Sequence, residues 1–302
     1  MIRKILALLL AVLLLPSFAA GEVVVTSFYP IWLLALNLAD GVEGLEVRNL
    51  AAPDTGCLHD YQLQTADMKV LAEADLFLVN GAGMESYLGM VYDAFPELPV
   101  AEASQGIPLL AGTDALSIGE SGAEEEEEEV NAHIWLSAAN AARMAENMTA
   151  AMAERFPAAA ETIRRNGAEL SARLEALDLE LRDGLSNLSS RDIVTFHEAF
   201  PYFAAAYDLH VAAVVKREPG ETLTPAQLAR LTEVIRALGN PPLFVEPQYE
   251  DLSARALAAE TGAPVYTLDP VVTGPEADVP LDYYETVMRQ NMATLREALG
   301  AQ

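Results

Sequence analysis

From Pro157 to Leu188 the sequence carries a single amphipathic run, with Leu170, Leu174, Leu177, Leu181 and Leu185 recurring at steps of three or four, the spacing of one helix face. About 28 residues of helix reach about 42 Å at 1.5 Å per residue, more than a small domain needs. The run divides a chain of 302 residues near its middle. That position favours a helix bridging two lobes over a helix lying on the surface of one.

Short β-branched or apolar runs stand on both sides of it. Val23–Thr26 precedes a turn at Tyr29-Pro30 and a helically spaced segment, Ile31–Leu38. Leu76–Asn80, Asp192–Phe196, Val211–Val215, Leu243–Val245 and Val265–Leu268 also read as buried strands. Strands alternating with helices imply parallel sheets covered on both faces. The expected fold is α/β, two lobes each with a parallel sheet flanked by helices, joined by one long helix. The expected boundaries are a leader over 1–19, an N-terminal lobe over 20–156 with an acidic loop at 117–130, the linking helix over 157–188, and a C-terminal lobe over 189–302. In open parallel sheets ligands sit beyond the carboxyl ends of strands, where His197, Glu246, Asp269 and the turn at Tyr29 fall.

The first residues have the form of an export signal. Arg3 and Lys4 precede an apolar stretch from Ile5 to Leu15, and small residues follow up to Ala20; cleavage after Ala19 is expected. The apolar stretch is shorter than the roughly 20 residues of a membrane span. No cysteine follows it, so a lipid-anchored signal is not expected, and the mature chain should be periplasmic. The formal charge is −27, and losing Arg3 and Lys4 leaves 16 basic against 45 acidic residues, or −29. Such a field repels nucleic acid and anionic lipid and attracts small cations. Six consecutive glutamates, Glu124–Glu129, lie just before His133 and read either as a cation-collecting loop or as a solvated insertion. Cys57 is the only cysteine, so no internal disulfide forms; a buried thiol is the expected role, with a thiolate ligand beside His59 the alternative.

Three of the four histidines, His59, His133 and His197, occupy loop-like positions in GCLHDYQ, NAHIWLS and TFHEAFPYF. Imidazole nitrogen with carboxylate oxygen suits zinc, and also manganese or iron. Three histidines and one carboxylate would close a four-coordinate shell and leave no place for water, which argues for carriage and against catalysis. Glu246 reads as a ligand or as an acceptor orienting a histidine ring. His210 is expected at a surface turn, and Glu198 is expected to point away from the metal.

These motifs, with TSFYPIW at Thr26–Trp32, AHIWLSAANA around His133, EPGETLTPAQLARL and LFVEPQYEDLSARALAAETGAPVYTLDPV, resemble those of the zinc- and manganese-binding solute receptors of bacterial ABC importers over nearly the whole mature chain. The resemblance implies His59, His133, His197 and Asp269 as the metal ligands, with Phe200, Tyr202 and Phe203 packing around the third. Leu58 and Thr65 stand where that family typically has proline, and the acidic loop carries no histidine. A histidine at the position of His197 leans toward Zn²⁺, with Mn²⁺ also open to this ligand set. The partner implied is the membrane permease of an ABC importer, served by a monomeric receptor. An exported zinc metallohydrolase is the competing class; the chain has no HExxH and no tight HxH pair.

Overall fold

Two parallel sheets are built from strands laid down in the same β-α rhythm. The computed structural model describes residues 21–58, 61–111, 116–117, 130–215, 224–248 and 252–300. The leader over 1–19, His59, and all of the acidic loop except Ser117 and Val130 lie outside the described residues. The first sheet has the order β2-β1-β3-β4, from β1 (Glu22–Thr26), β2 (Leu45–Asn49), β3 (Leu76–Val79) and β4 (Val100–Glu102). The second has the order β5-β7-β6-β8-β9, from β5 (Leu116–Ser117), β6 (Asp192–Thr195), β7 (His210–Val214), β8 (Leu243–Val245) and β9 (Val265–Thr267). Every pairing within the two sheets is parallel. Strands β1 to β4 come from before the long helix and β6 to β9 from after it. β5 is the exception: Leu116 and Ser117 pair with Ala213 and Val214 of β7, so a piece of the first half of the chain forms the edge of the second sheet.

Nine helices cover the sheets among the described residues: α1 (Tyr29–Ala39), α2 (Thr65–Ala72), α3 (Leu88–Ala94), α4 (Ala138–Arg155), α5 (Ala160–Gly184), α6 (Pro201–Ala206), α7 (Pro225–Ala237), α8 (Leu252–Thr261) and α9 (Tyr283–Ala298). Local sequence sets several starts. Pro30 lies in the first turn of α1, and Thr224 caps α7 by accepting the Gln227 N–H ahead of Pro225. The long helix is α5, at 25 residues shorter than expected, because Pro157 to Ala159 form a turn before it and Leu185 to Asn187 another after it. Leu170, Leu174, Leu177, Leu181 and Leu185 are all buried. The helix does not stand alone as a strut. It packs along α4, where a Cβ on Gly167 would come within 2.2 Å of Thr149 Oγ1, so only glycine allows the two backbones that approach.

One apolar core extends from the first sheet through α4 and α5 to α6 and α9, and contains Phe28, Trp135, Leu174 and Phe203. A smaller one lies between the second sheet and α7 and α8, around Val194, Leu231, Leu243 and Leu257. The C-terminal segment returns to α1 and α5: Asn37 of α1 donates to Leu281 O at 2.9 Å, just before α9, and Arg173 of α5 pairs with the buried Glu285 of α9 at 2.9 Å. Among the described residues no helix is long and apolar enough to cross a membrane.

Candidate metal centre

The facing ends of the two sheets meet around His133. This residue ends the segment Asn131-Ala132-His133 and caps a 3-10 turn, Ile134–Leu136, before α4. It is 2% exposed, and its surroundings fix it at several points. Asn131 Oδ1 accepts the His133 backbone N–H at 3.0 Å and lies 3.2 Å from the ring Nδ1. Asn131 in turn donates from Nδ2 to Glu198 O at 2.8 Å, and its carbonyl accepts the Tyr202 hydroxyl at 2.9 Å. From the first sheet, Asn80 at the end of β3 donates to Ala132 O at 3.0 Å. Trp135 is fully buried, edge-on to Phe28 at 5.1 Å, and donates from Nε1 to Pro270 O at 2.8 Å.

His197 follows β6 by two residues, at the carboxyl end of the second sheet. Its Nδ1 lies 2.9 Å from Oε1 of Glu246, the residue immediately after β8. Glu246 is buried, and its other oxygen accepts from Gln248 Nε2 at 2.6 Å. The His133 and His197 rings stand edge to face with centroids 5.0 Å apart. Each Nδ1 therefore faces an oxygen acceptor, which assigns the ring proton to Nδ1 and leaves Nε2 as the lone-pair nitrogen of both rings. This is the arrangement in which a second carboxylate or carbonyl orients a metal-ligating histidine and strengthens it as a base.

Cys57 completes the group. Its sulfur lies 3.5 Å from His133 Nε2, and one donor atom each from Cys57, His133 and His197 fall within 4.8 Å of one another. Burial first, and then the charge of Glu246, push the Cys57 thiol well above its ordinary value. Asp269, two residues beyond β9, lies near enough for Glu246 to act on it as well. Burial raises its carboxyl, the Val271 N–H opposes that at 2.8 Å, and Glu246 adds to the rise. Asn291 clamps the Asp269 backbone from both sides, at 2.8 and 2.7 Å. A bound cation would reverse both shifts, since its own charge becomes the largest in the site.

His133 and His197, expected as ligands, thus meet. Asp269 stands at the strand end predicted for it, outside the three-donor group. His59 lies outside the described residues. Glu246 takes the role of orienting acceptor. His210, expected at a turn, instead opens β7 at the opposite end of the sheet, exposed and 2.7 Å from Asp192 Oδ1. The sequence reading missed Asn131 as the residue that orients His133; its signal was the spacing Asn-x-His, which lets a short side chain reach the ring two residues on. Cys57, expected as a buried thiol with ligation as the alternative, meets His133.

The family model described as ZnuA, zinc-uptake complex component A, periplasmic, matches residues 24–298. The "Zinc-binding lipoprotein AdcA" of Streptococcus pneumoniae is 26% identical over 278 residues, covering 91% of this chain and 55% of AdcA. The chain thus spans about half the length of the AdcA relatives it matches. The "Iron-binding protein YfeA" of Yersinia pestis is 31% identical over 242 residues, covering 80% of this chain and 74% of YfeA. A crystal structure of ZnuA superposes with a TM-score of 0.76 at 25% identity, over 93% of this chain and 100% of the other. With two parallel sheets meeting at paired, carboxamide- and carboxylate-oriented histidines, and a family model matched almost end to end, the chain belongs to the ZnuA family of metal-uptake binding proteins.

Proposed function

We propose that this chain binds Zn²⁺ at the meeting point of its two sheets and delivers it to the membrane permease of an ABC importer, as a monomeric receptor exported by its leader, residues 1–19. The observation that carries this reading is the pair His133 and His197: rings 5.0 Å apart, each with Nδ1 facing an oxygen acceptor that orients the ring. The proposed ligands are His133, His197, Asp269 and His59. Metal is the cargo of such a site. A shell closed by protein atoms leaves no coordination position for a reacting water, so the site binds and releases without catalysing.

Imidazole donors bind zinc more tightly than manganese or iron(II) in an ordinary geometry, which supports zinc although one relative is named for iron. Calorimetric titration of metal-free protein should give one tight Zn²⁺ per chain, displaced by neither Mn²⁺ nor Fe²⁺ at equal concentration. Replacing His59, His133 and His197 together by alanine should abolish that binding; an unchanged affinity in the triple variant overturns the proposal.

A further inference from the structure

We propose that Cys57 is itself a metal ligand, its sulfur joining His133 and His197 on the ion in the place that the four-ligand set above gives to Asp269, which stands outside this three-donor group. The inference rests on the metal-binding role proposed above and exchanges one donor of that set. Three observations carry it. The first is a length. In a tetrahedral zinc site with Zn–S of about 2.3 Å and Zn–N of about 2.0 to 2.1 Å, a sulfur and a nitrogen ligand are about 3.5 to 3.6 Å apart. Cys57 Sγ and His133 Nε2 are 3.5 Å apart, so one edge of the tetrahedron is already present.

The second is orientation. Asn131 Oδ1 lies 3.2 Å from His133 Nδ1, so the other ring nitrogen, Nε2, is the one presented to Cys57 Sγ. Binding forms the Zn–S bond, breaks the S–H bond, and sends that proton to solvent. The third is closure by a residue from the other sheet. Donor atoms of Cys57, His133 and His197 all lie within 4.8 Å of one another, so the group is a three-donor cluster drawn from three separate segments.

A thiolate is a soft ligand and favours zinc over manganese. Cys57→Ser should therefore lower Zn²⁺ affinity by more than roughly tenfold, the least that loss of even an outer partner costs, while Mn²⁺ affinity moves by less than about threefold. The direct test uses Co²⁺ as the probe on the full mature chain. A near-ultraviolet sulfur-to-cobalt charge-transfer band should appear beside the visible d–d bands and vanish in Cys57→Ser and Cys57→Ala. X-ray absorption at the zinc edge of the unsubstituted protein, which needs no variant to fold, should show one sulfur at about 2.3 Å. Cobalt d–d bands with no charge-transfer band, or a zinc shell of nitrogen and oxygen alone, would remove Cys57 from the shell and leave the receptor reading standing. Failure of both Co²⁺ and Zn²⁺ to bind would remove the receptor reading itself.

Discussion

The two sides of the metal centre are built differently. His133 hangs in the larger core, and the hydrogen bonds around it come from both halves of the chain: Asn80 reaches Ala132 from the end of β3, while Tyr202 reaches Asn131 and Trp135 reaches Pro270 in the second half. His197 sits at a strand end above the smaller core, half-buried, and is steadied by Glu246 and Gln248 from the neighbouring strand end. The difference teaches that one side is a template held from several directions and the other an arm held through Glu246. On the proposed ligation by Cys57, the 3.5 Å sulfur–nitrogen contact lies on the template side, and His197 is the donor brought to it from the other side.

The strongest way to break this contrast is to remove the keystone of the template. Trp135→Ala should destabilise the protein by about 3 to 5 kcal/mol, the usual loss for a buried large aromatic, whereas Gln248→Ala should cost under about 1 kcal/mol, as a half-exposed polar truncation. Urea unfolding of the metal-free proteins compares them. Similar losses from both would erase the distinction.

A second effect, nearly as large, concerns pH. Glu85 is buried behind the end of β3, accepting the Asn80 and Gly81 N–H groups at 2.7 and 3.0 Å. Burial outweighs those bonds and raises its carboxyl from 4.5 to about 7. The folded state therefore holds this proton more tightly than the unfolded chain. Below about pH 4.5 the group costs nothing; as pH rises toward 7 the native state loses stability, and above 7 the full penalty of about 3 kcal/mol is present. Glu85→Gln should flatten that decline, so the stability gap between variant and wild type should widen in the variant's favour from pH 4.5 to pH 8. A gap independent of pH would show that the template carries no such charge.

The arm is sharpened by Glu246→Gln, which keeps the shape and removes the charge beside His197 Nδ1. Zinc affinity should fall by about 10- to 100-fold, read by competition with a chromophoric chelator. His210→Ala serves as the matched histidine control and the smallest effect: no change in zinc affinity, and less than about 0.5 kcal/mol in stability, because its partner Asp192 is exposed with it.

Much of the fold could be read from residues that speak for themselves. Val23 to Thr26, Ile193 to Thr195 and Leu243 to Val245 are buried on both sheet faces and so form apolar runs. β2 was silent because Leu45–Asn49 is a half-exposed edge strand carrying Glu46 and Arg48. β5 is two residues long. α4 buries alanines and methionines among other alanines, a weak contrast for a periodic reading. In the site, the strand-end rule located His197, Glu246 and Asp269 because it depends only on where strands stop. Cys57 was not legible as a neighbour of His133. It lies in an irregular segment, and 76 residues of chain separate the two; only the packing of the first sheet on α4 brings them together.

The crossing of Leu116 and Ser117 to the edge of β7 bears on how the molecule can be cut. The tight turn between α4 and α5 looks like a seam between modules, yet severing it would leave one fragment with a strand lacking its sheet and the other with a sheet lacking its edge. The C-terminal fragment would also carry α9, whose Tyr284 hydroxyl bonds Trp135 O at 2.6 Å in the fragment it had lost. The halves are interleaved along the chain, so neither is a transplantable unit, and a split version would have to reassemble by strand exchange.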